Sequence, residues 1–226
     1  MTLRALFILA TILALPLAAQ EKKAKAKPTS ESVLAPIQDV PGLPRVLLIG
    51  DSISMGYTLP VRTLLAGKAN VHRIPQNGGP TKNGIARIDA WLGTSKWDVI
   101  HFNHGIHDVK IMPDGNRQVE PEAYEANLRA LVAKLKATGA KVIFATSTPI
   151  PPSPLMGNRS FGSETEYNAI ATKVMNDNGV QVNDLHTYML PRFKEFQIAN
   201  DLHYQPDGSE FLAKRVAEVI TAALEK

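Results

Sequence analysis

The chain has 226 residues, 44% of them hydrophobic, which suffices for one well-buried core and falls short of two full-sized domains. It has no cysteine, which excludes disulfides, a thiol nucleophile and a thiol acceptor for a lipid anchor. Most of the formal charge of +4 comes from the start of the chain: beyond residue 32 there are 20 basic against 19 acidic residues, so no basic groove for nucleic acid is expected.

The chain opens with Met1 and Arg4, an apolar run over 5–17, then Ala18 and Ala19. That is the order of charge, hydrophobic run and small residues found in a secretory signal, and the run is too short to span a bilayer comfortably. Cleavage after Ala19 is expected, giving a secreted or periplasmic product with no stable membrane anchor. Residues 20–44 are rich in Lys, Ala, Pro and Ser without a sustained apolar period, and read as a disordered linker whose lysines form a solvated tail. The folded domain is expected over 45–226.

Within it, short apolar β-branched runs at 46–49, 69–73, 99–103, 141–146 and 180–182 read as strands. Helical periods fall between them at 59–66, 83–92, 121–137 and 163–177, with a last one at 207–224. Pro60 suits the first turn of the first helix, and Gly139 follows the end of 121–137, whose Tyr124, Leu128, Leu131 and Leu135 share one core face. This alternation predicts an α/β fold: three α/β/α layers around a five-stranded, mostly parallel sheet. Ligands of such sheets bind beyond the C-terminal ends of the strands, so the residues after each strand are the candidates for chemistry.

After the first strand stands Gly50-Asp51-Ser52-Ile53-Ser54, a strand-to-helix turn where backbone N–H groups point outward beside a hydroxyl. Alone, such a turn is ordinary, because Asp and Ser commonly satisfy backbone groups there. The second strand leads to Asn77-Gly78-Gly79-Pro80-Thr81, the third to Asn103-His104-Gly105-Ile106-His107-Asp108, and Asn200-Asp201-Leu202-His203-Tyr204 precedes the last helix. A hydroxyl needs a base to become a nucleophile near neutral pH, and histidine suits that task by its pKa. His101, His104 and His107 recur every third residue, which invites a metal reading, but positions three apart on a strand face opposite ways, and no metal site is expected. Trp91 and Trp97 read as packing residues. Tyr57, Asn103 and Tyr204 are candidates for substrate contact, and the proline-rich stretch from Thr148 to Phe161 is expected to wall one side of the cleft.

These four segments together resemble the SGNH, or GDSL-like, hydrolases, in which short blocks carry Ser, Gly, Asn and His, and the likeness spans the whole domain. The resemblance implies Ser52 as nucleophile, Gly79 as the glycine of the second block and His203 as the base, with Ser52, Gly79 and His107 lining an oxyanion hole. It also implies the flavodoxin-like version of the fold and no cofactor. Two positions depart from the family pattern. His107 stands where Gly-x-Asn-Asp has its asparagine, and its imidazole N–H is a usable donor. The acid of Asp-x-x-His falls on Asn200, with Asp201 one place later, so three arrangements are open: Asp201 acts through a shifted turn, Asn200 or a backbone carbonyl orients His203, or another acid does.

The expected activity is ester hydrolysis, with removal of acetyl groups from carbohydrate as the leading substrate class by analogy with the family. A lipase or thioesterase would use the same groups. A glycan-binding protein that no longer turns over is the reading from a different class.

Overall fold

The computed structural model describes residues 33–152 and 158–225. The expected signal segment and linker residues 20–32 lie outside them, as do 153–157 of the expected cleft wall. In chain order the elements are β1 (Arg45–Ile49), α1 (Ser52–Leu64), β2 (Asn70–Arg73), α2 (Thr81–Leu92), β3 (Val99–Phe102), α3 (Pro121–Ala137), β4 (Lys141–Ala145), α4 (Ser163–Asp177), β5 (Gln181–Asn183), α5 (Leu185–Met189), a 3-10 turn (Leu190–Arg192), α6 (Phe193–Phe196) and α7 (Pro206–Leu224). The strands form one parallel sheet in the order β2-β1-β3-β4-β5. The order reverses between β1 and β3, so the turns after these two strands flank a crevice.

Alternation along the strands divides the core. Val46, Leu48, Val99, Ile143 and Ala145 face α1 and α7, while Leu47, Ile49, Ile100, Phe102 and Phe144 face α2, α3 and α4. On α3 the expected stripe Tyr124, Leu128, Leu131 and Leu135 is wholly buried, and each leucine contributes about 2 kcal/mol by leaving water. Trp91 and Trp97 are buried as expected. Trp97 donates to Leu92 O (3.0 Å), and the Arg45 guanidinium lies 4.2 Å from its ring centroid.

Two expectations about boundaries change. First, α1 begins at Ser52 rather than near 59, with Pro60 inside it, because Asp51 caps the helix: its side chain accepts the Ile53 N–H at 2.8 Å. The helix tolerates Pro60 within a close-packed pair, where a Cβ on Gly56 would stand 2.9 Å from Ser209 Oγ of α7. Second, residues 33–44, read as linker, lie against the β2 edge. Val33 is buried, the Asn70 amide accepts from Val40 N–H (2.8 Å) and donates to the carbonyls of Val40 and Leu43, and Asp39 pairs with Arg45 (2.8 Å) and His72 (2.6 Å). One amide side chain thus satisfies backbone that belongs to no helix or strand.

His101 is fully buried on the α1 face, edge-on to Tyr57, with Nε2 facing Asn183 Nδ2 at 3.1 Å. Burial pushes its pKa down to about 4. Between there and its ordinary value near 6.5 the unfolded chain takes up a proton that the folded one refuses. Its contribution to stability is therefore complete above about pH 6.5 and is lost as pH falls toward 4, by up to about 3 kcal/mol. Asp108, with a folded pKa raised to about 7 by burial, acts in the opposite sense over the same range. Urea unfolding of wild type and His101→Gln at about pH 7.5 and 4.5 checks this: the variant is less stable at the higher pH, and its loss on acidification is smaller than that of wild type.

Candidate active site

Only Gly50 and Asp51 separate β1 from α1, which places Ser52 in the first turn of a helix beyond the sheet's C-terminal edge. An N–H in that position has no acceptor within its own helix. The turn is packed too tightly for side chains: a Cβ on Gly50 would lie 2.7 Å from Ser54 Oγ, and one on Gly78 would lie 2.9 Å from Gly50 O. Gly78 N–H donates to that same carbonyl (2.9 Å), so the turns after β1 and β2 meet backbone to backbone. Gly79 follows with φ +62, its N–H donating to Asn77 Oδ1 (2.9 Å), and His104 Nδ1 meets its carbonyl at 3.0 Å. The expected oxyanion donor of the second block is thus held within its own turn.

The last block is a tight hairpin. Gln197 pairs with Tyr204, Ile198 N–H donates to His203 O (3.0 Å), and Asp201 N–H closes a turn onto Ile198 O (2.9 Å). Asn200 occupies the third position of that turn with φ +57, a left-handed conformation that asparagine tolerates better than most residues. The hairpin seats against α7, where Gly208 lies so close to Phe196 that a Cβ would stand 2.6 Å from it.

This arrangement brings His203 Nε2 to 2.7 Å from Ser52 Oγ and His203 Nδ1 to 2.6 Å from Asp201 Oδ1. The carboxylate also accepts the His203 backbone N–H at 3.1 Å. The carboxylate that meets His203 Nδ1 is that of Asp201, one residue past the family position, while Asn200 occupies the turn. Partial burial pushes the Asp201 pKa up, but the hydrogen bonds from His203 outweigh it and hold the carboxyl below its ordinary range. A carboxylate on Nδ1 fixes the proton there and leaves the Nε2 lone pair toward the serine hydroxyl. The His203 and Asp201 side chains keep 44% and 35% of their surface exposed, so the site opens directly to solvent.

The third block wraps the other side. Gly105 has φ +144, and a Cβ there would lie 2.5 Å from Ser147 Oγ. Tyr124 OH donates to His104 O (2.9 Å), and Asp108 Oδ1 accepts both N–H (2.8 Å) and hydroxyl (2.6 Å) of Thr81, capping α2 from across the fold. His107 remains partly exposed. Burial lowers its pKa first; the Asp51 charge opposes this, while Arg159, Lys110 and His203 lower it further. His101 and His104 turn to Asn183 and Gly79, and among the described residues no three His, Asp or Glu side chains are grouped to hold an ion.

The expected substrate contacts change. Tyr57 is buried in the core against His101, and burial raises its pKa well above the ordinary value. Tyr204 is buried edge-on to Phe193. Asn103 is buried and donates to Ala145 O (2.8 Å), tying β3 to β4. All three sit near the site in sequence, but the apolar ring or short amide completes the core behind it. A small cavity there is lined by Asp51, Ile53, Ser54, Asn103, Ile106 and Ser147.

Three residues hold the turns in place, of which the sequence reading assigns His104 and Arg159 no such role and passes over Arg73. Arg73, at the end of β2, donates through Nη2 to Gly50 O (2.8 Å) and Asp51 O (3.0 Å) and through Nη1 to Ser54 Oγ (2.6 Å) and Thr58 Oγ1 (3.3 Å). His104 holds Gly79. Arg159, from the stretch expected to wall the cleft, is buried and donates from Nε to Ile106 O. No local pattern marked Arg73, which closes the short polar strand Asn70-Val71-His72-Arg73, while Arg159 reads from the sequence as part of a solvated loop that could touch a polar substrate and is instead buried.

Comparison with known proteins agrees with this geometry. Residues 48–211 match the GDSL-like Lipase/Acylhydrolase family. An arylesterase of Vibrio mimicus is 26% identical over 191 residues, covering 80% of this chain and 90% of its own. Among solved structures, a lipase/acylhydrolase from Enterococcus faecalis superposes with a TM-score of 0.69 at 24% identity, over 80% of this chain and 96% of its own. The acetyl xylan esterase AlAXEase superposes with a TM-score of 0.67 at 21% identity, over 78% and 99%. With the family matched across all four blocks, the chain belongs to the GDSL-like lipase/acylhydrolase family, the SGNH hydrolases, and is a carboxylic ester hydrolase.

Proposed function

We propose that Ser52, His203 and Asp201 form the catalytic triad of an exported esterase that removes acetyl groups from carbohydrate. The observation that carries the reading is the continuous hydrogen-bonded line from Asp201 through His203 to Ser52, at 2.6 and 2.7 Å. His203 Nε2 takes the Ser52 proton as Oγ attacks the ester carbonyl. The tetrahedral oxyanion lies against Ser52 N–H, the His107 side chain, and Gly79 N–H, which turns from Asn77 as charge develops. Collapse passes the proton from Nε2 to the departing alcohol and leaves the acyl group on Ser52. Water, deprotonated by His203, then attacks that ester and frees the carboxylate. Asp201 stabilises the imidazolium in both halves.

Two features favour an acetylated carbohydrate. The triad is open to solvent, which suits an acyl group carried on a bulky alcohol, and the matched structures include one named an acetyl xylan esterase. The order of residues 1–19 supports export. Acetate release from acetylated xylo-oligosaccharides, set beside p-nitrophenyl acetate and p-nitrophenyl octanoate with Ser52→Ala as control, tests the reading. Ser52-dependent release from the oligosaccharide is expected. Turnover of the aryl esters alone would replace carbohydrate with an aryl or lipid ester.

His107 carries a separate expectation. Removing one oxyanion donor costs on the order of a hundredfold in kcat, so His107→Ala should fall by about that factor on p-nitrophenyl acetate, while His107→Asn retains most of the rate.

A further inference from the structure

Two buried arginines reach the site from different elements and make the same kind of contact. Arg73 donates to Asp51 O, the carbonyl end of the peptide whose N–H belongs to Ser52. Arg159 donates to Ile106 O, the carbonyl end of the peptide that leads into His107. We propose that Arg73 and Arg159 are positioning residues for the oxyanion hole, each fixing the peptide before one oxyanion donor and placing a positive charge behind it. The proposal rests on the roles given above to Ser52 and His107.

A hydrogen bond accepted by a peptide carbonyl polarises the N–H at the other end of the same unit and fixes its plane. Arg73 does this to the Asp51–Ser52 peptide while also gripping Gly50 O and Ser54 Oγ, so the turn cannot rotate away from the incoming carbonyl. Neutral donors would suffice to satisfy two carbonyls. Here a guanidinium sits 8% exposed and its four hydrogen bonds all go to neutral oxygens, although burying a charge without a contacting counter-charge is expensive. Burial lowers its pKa only to about 10, so the charge persists at neutral pH beside a helix N-terminus that already favours an anion. On the far side, the Arg159 charge helps to lower the His107 pKa, and the Asp51 charge supports that of Arg159. Arg159 thus holds the backbone that leads into His107.

The test is steady-state kinetics on p-nitrophenyl acetate with Arg73→Met, Arg73→Lys, Arg159→Met and Arg159→Lys, together with the affinity for phenylboronic acid, whose tetrahedral adduct on Ser52 resembles the intermediate. Each Met variant is expected to lose about tenfold or more in kcat with KM within about twofold, and boronate affinity should fall in step with kcat. The Lys variants, keeping a charge and one donor, should recover part of both losses. If Arg73→Met does not fold, Arg73→Lys and Arg159→Met carry the comparison. Boronate affinity unchanged while kcat falls, or kcat unchanged in the Met variants, overturns the proposal and leaves the triad standing. Wild type no faster than Ser52→Ala would remove the esterase reading itself.

Discussion

Replacing His203 with alanine is expected to lower kcat on p-nitrophenyl acetate by about ten-thousandfold or more while changing KM little. His203 Nε2 is the ring atom that meets the Ser52 hydroxyl, at 2.7 Å, and without it the proton has no acceptor held by a carboxylate. The histidines of the third block cannot replace it. His101 and His104 are buried and turned to Asn183 and Gly79, and His107 lacks a carboxylate on its ring. The side chain is 44% exposed, so its loss should leave thermal unfolding nearly unmoved and separate a chemical effect from a folding one. Rate that survives in the variant is expected to come from the oxyanion donors alone.

Asp201→Asn is expected to cost about a thousandfold to ten-thousandfold in kcat. The amide keeps a hydrogen bond but cannot stabilise the imidazolium by charge, and it can present its NH2 to Nδ1 and so reverse the tautomer. Adding the family's own acid in the double variant Asn200→Asp, Asp201→Asn should not restore the rate, because position 200 is turned into a left-handed residue of the hairpin and the contact to Nδ1 starts one residue later. Recovery to near wild type would show that position 200 can also reach His203.

Much of this was legible in the chain. The strands of a buried parallel sheet announce themselves as short β-branched runs, and all five lie within a residue or so of where composition puts them. The long helices have clean periods and glycine or proline at their ends. The start of α1 was hidden because Pro60 reads as a first-turn residue, whereas Asp51 sets the cap nine residues before it. The short helices from Leu185 to Phe196 went unread, although Leu185, Met189, Phe193 and Phe196 share one buried face: their period is broken by Pro191. Residues 33–44 look like linker by composition, and it takes partners distant in sequence, the Asn70 amide with Arg45 and His72, to show that they are docked.

At the site, the order of the four blocks pointed to Ser52 and His203, one after a strand and one before the last helix, and the fold brings the two to 2.7 Å. The choice between Asn200 and Asp201 depended on turn geometry that one residue of sequence shift does not reveal. Tyr57 and Tyr204 were expected to contact substrate because they neighbour the blocks. The direction in which a side chain leaves its helix or hairpin put them in the core instead. Arg73 and Arg159 act through carbonyls far away in sequence, which no local pattern encodes.

The central claim, that Ser52 is the nucleophile, is tested most directly by covalent labelling with a fluorophosphonate followed by peptide mapping. One phosphonyl group per chain is expected, on the peptide that contains Ser52, with loss of activity in step with labelling and with labelling abolished in His203→Ala. A label on another residue, or inactivation without any label on Ser52, would contradict it.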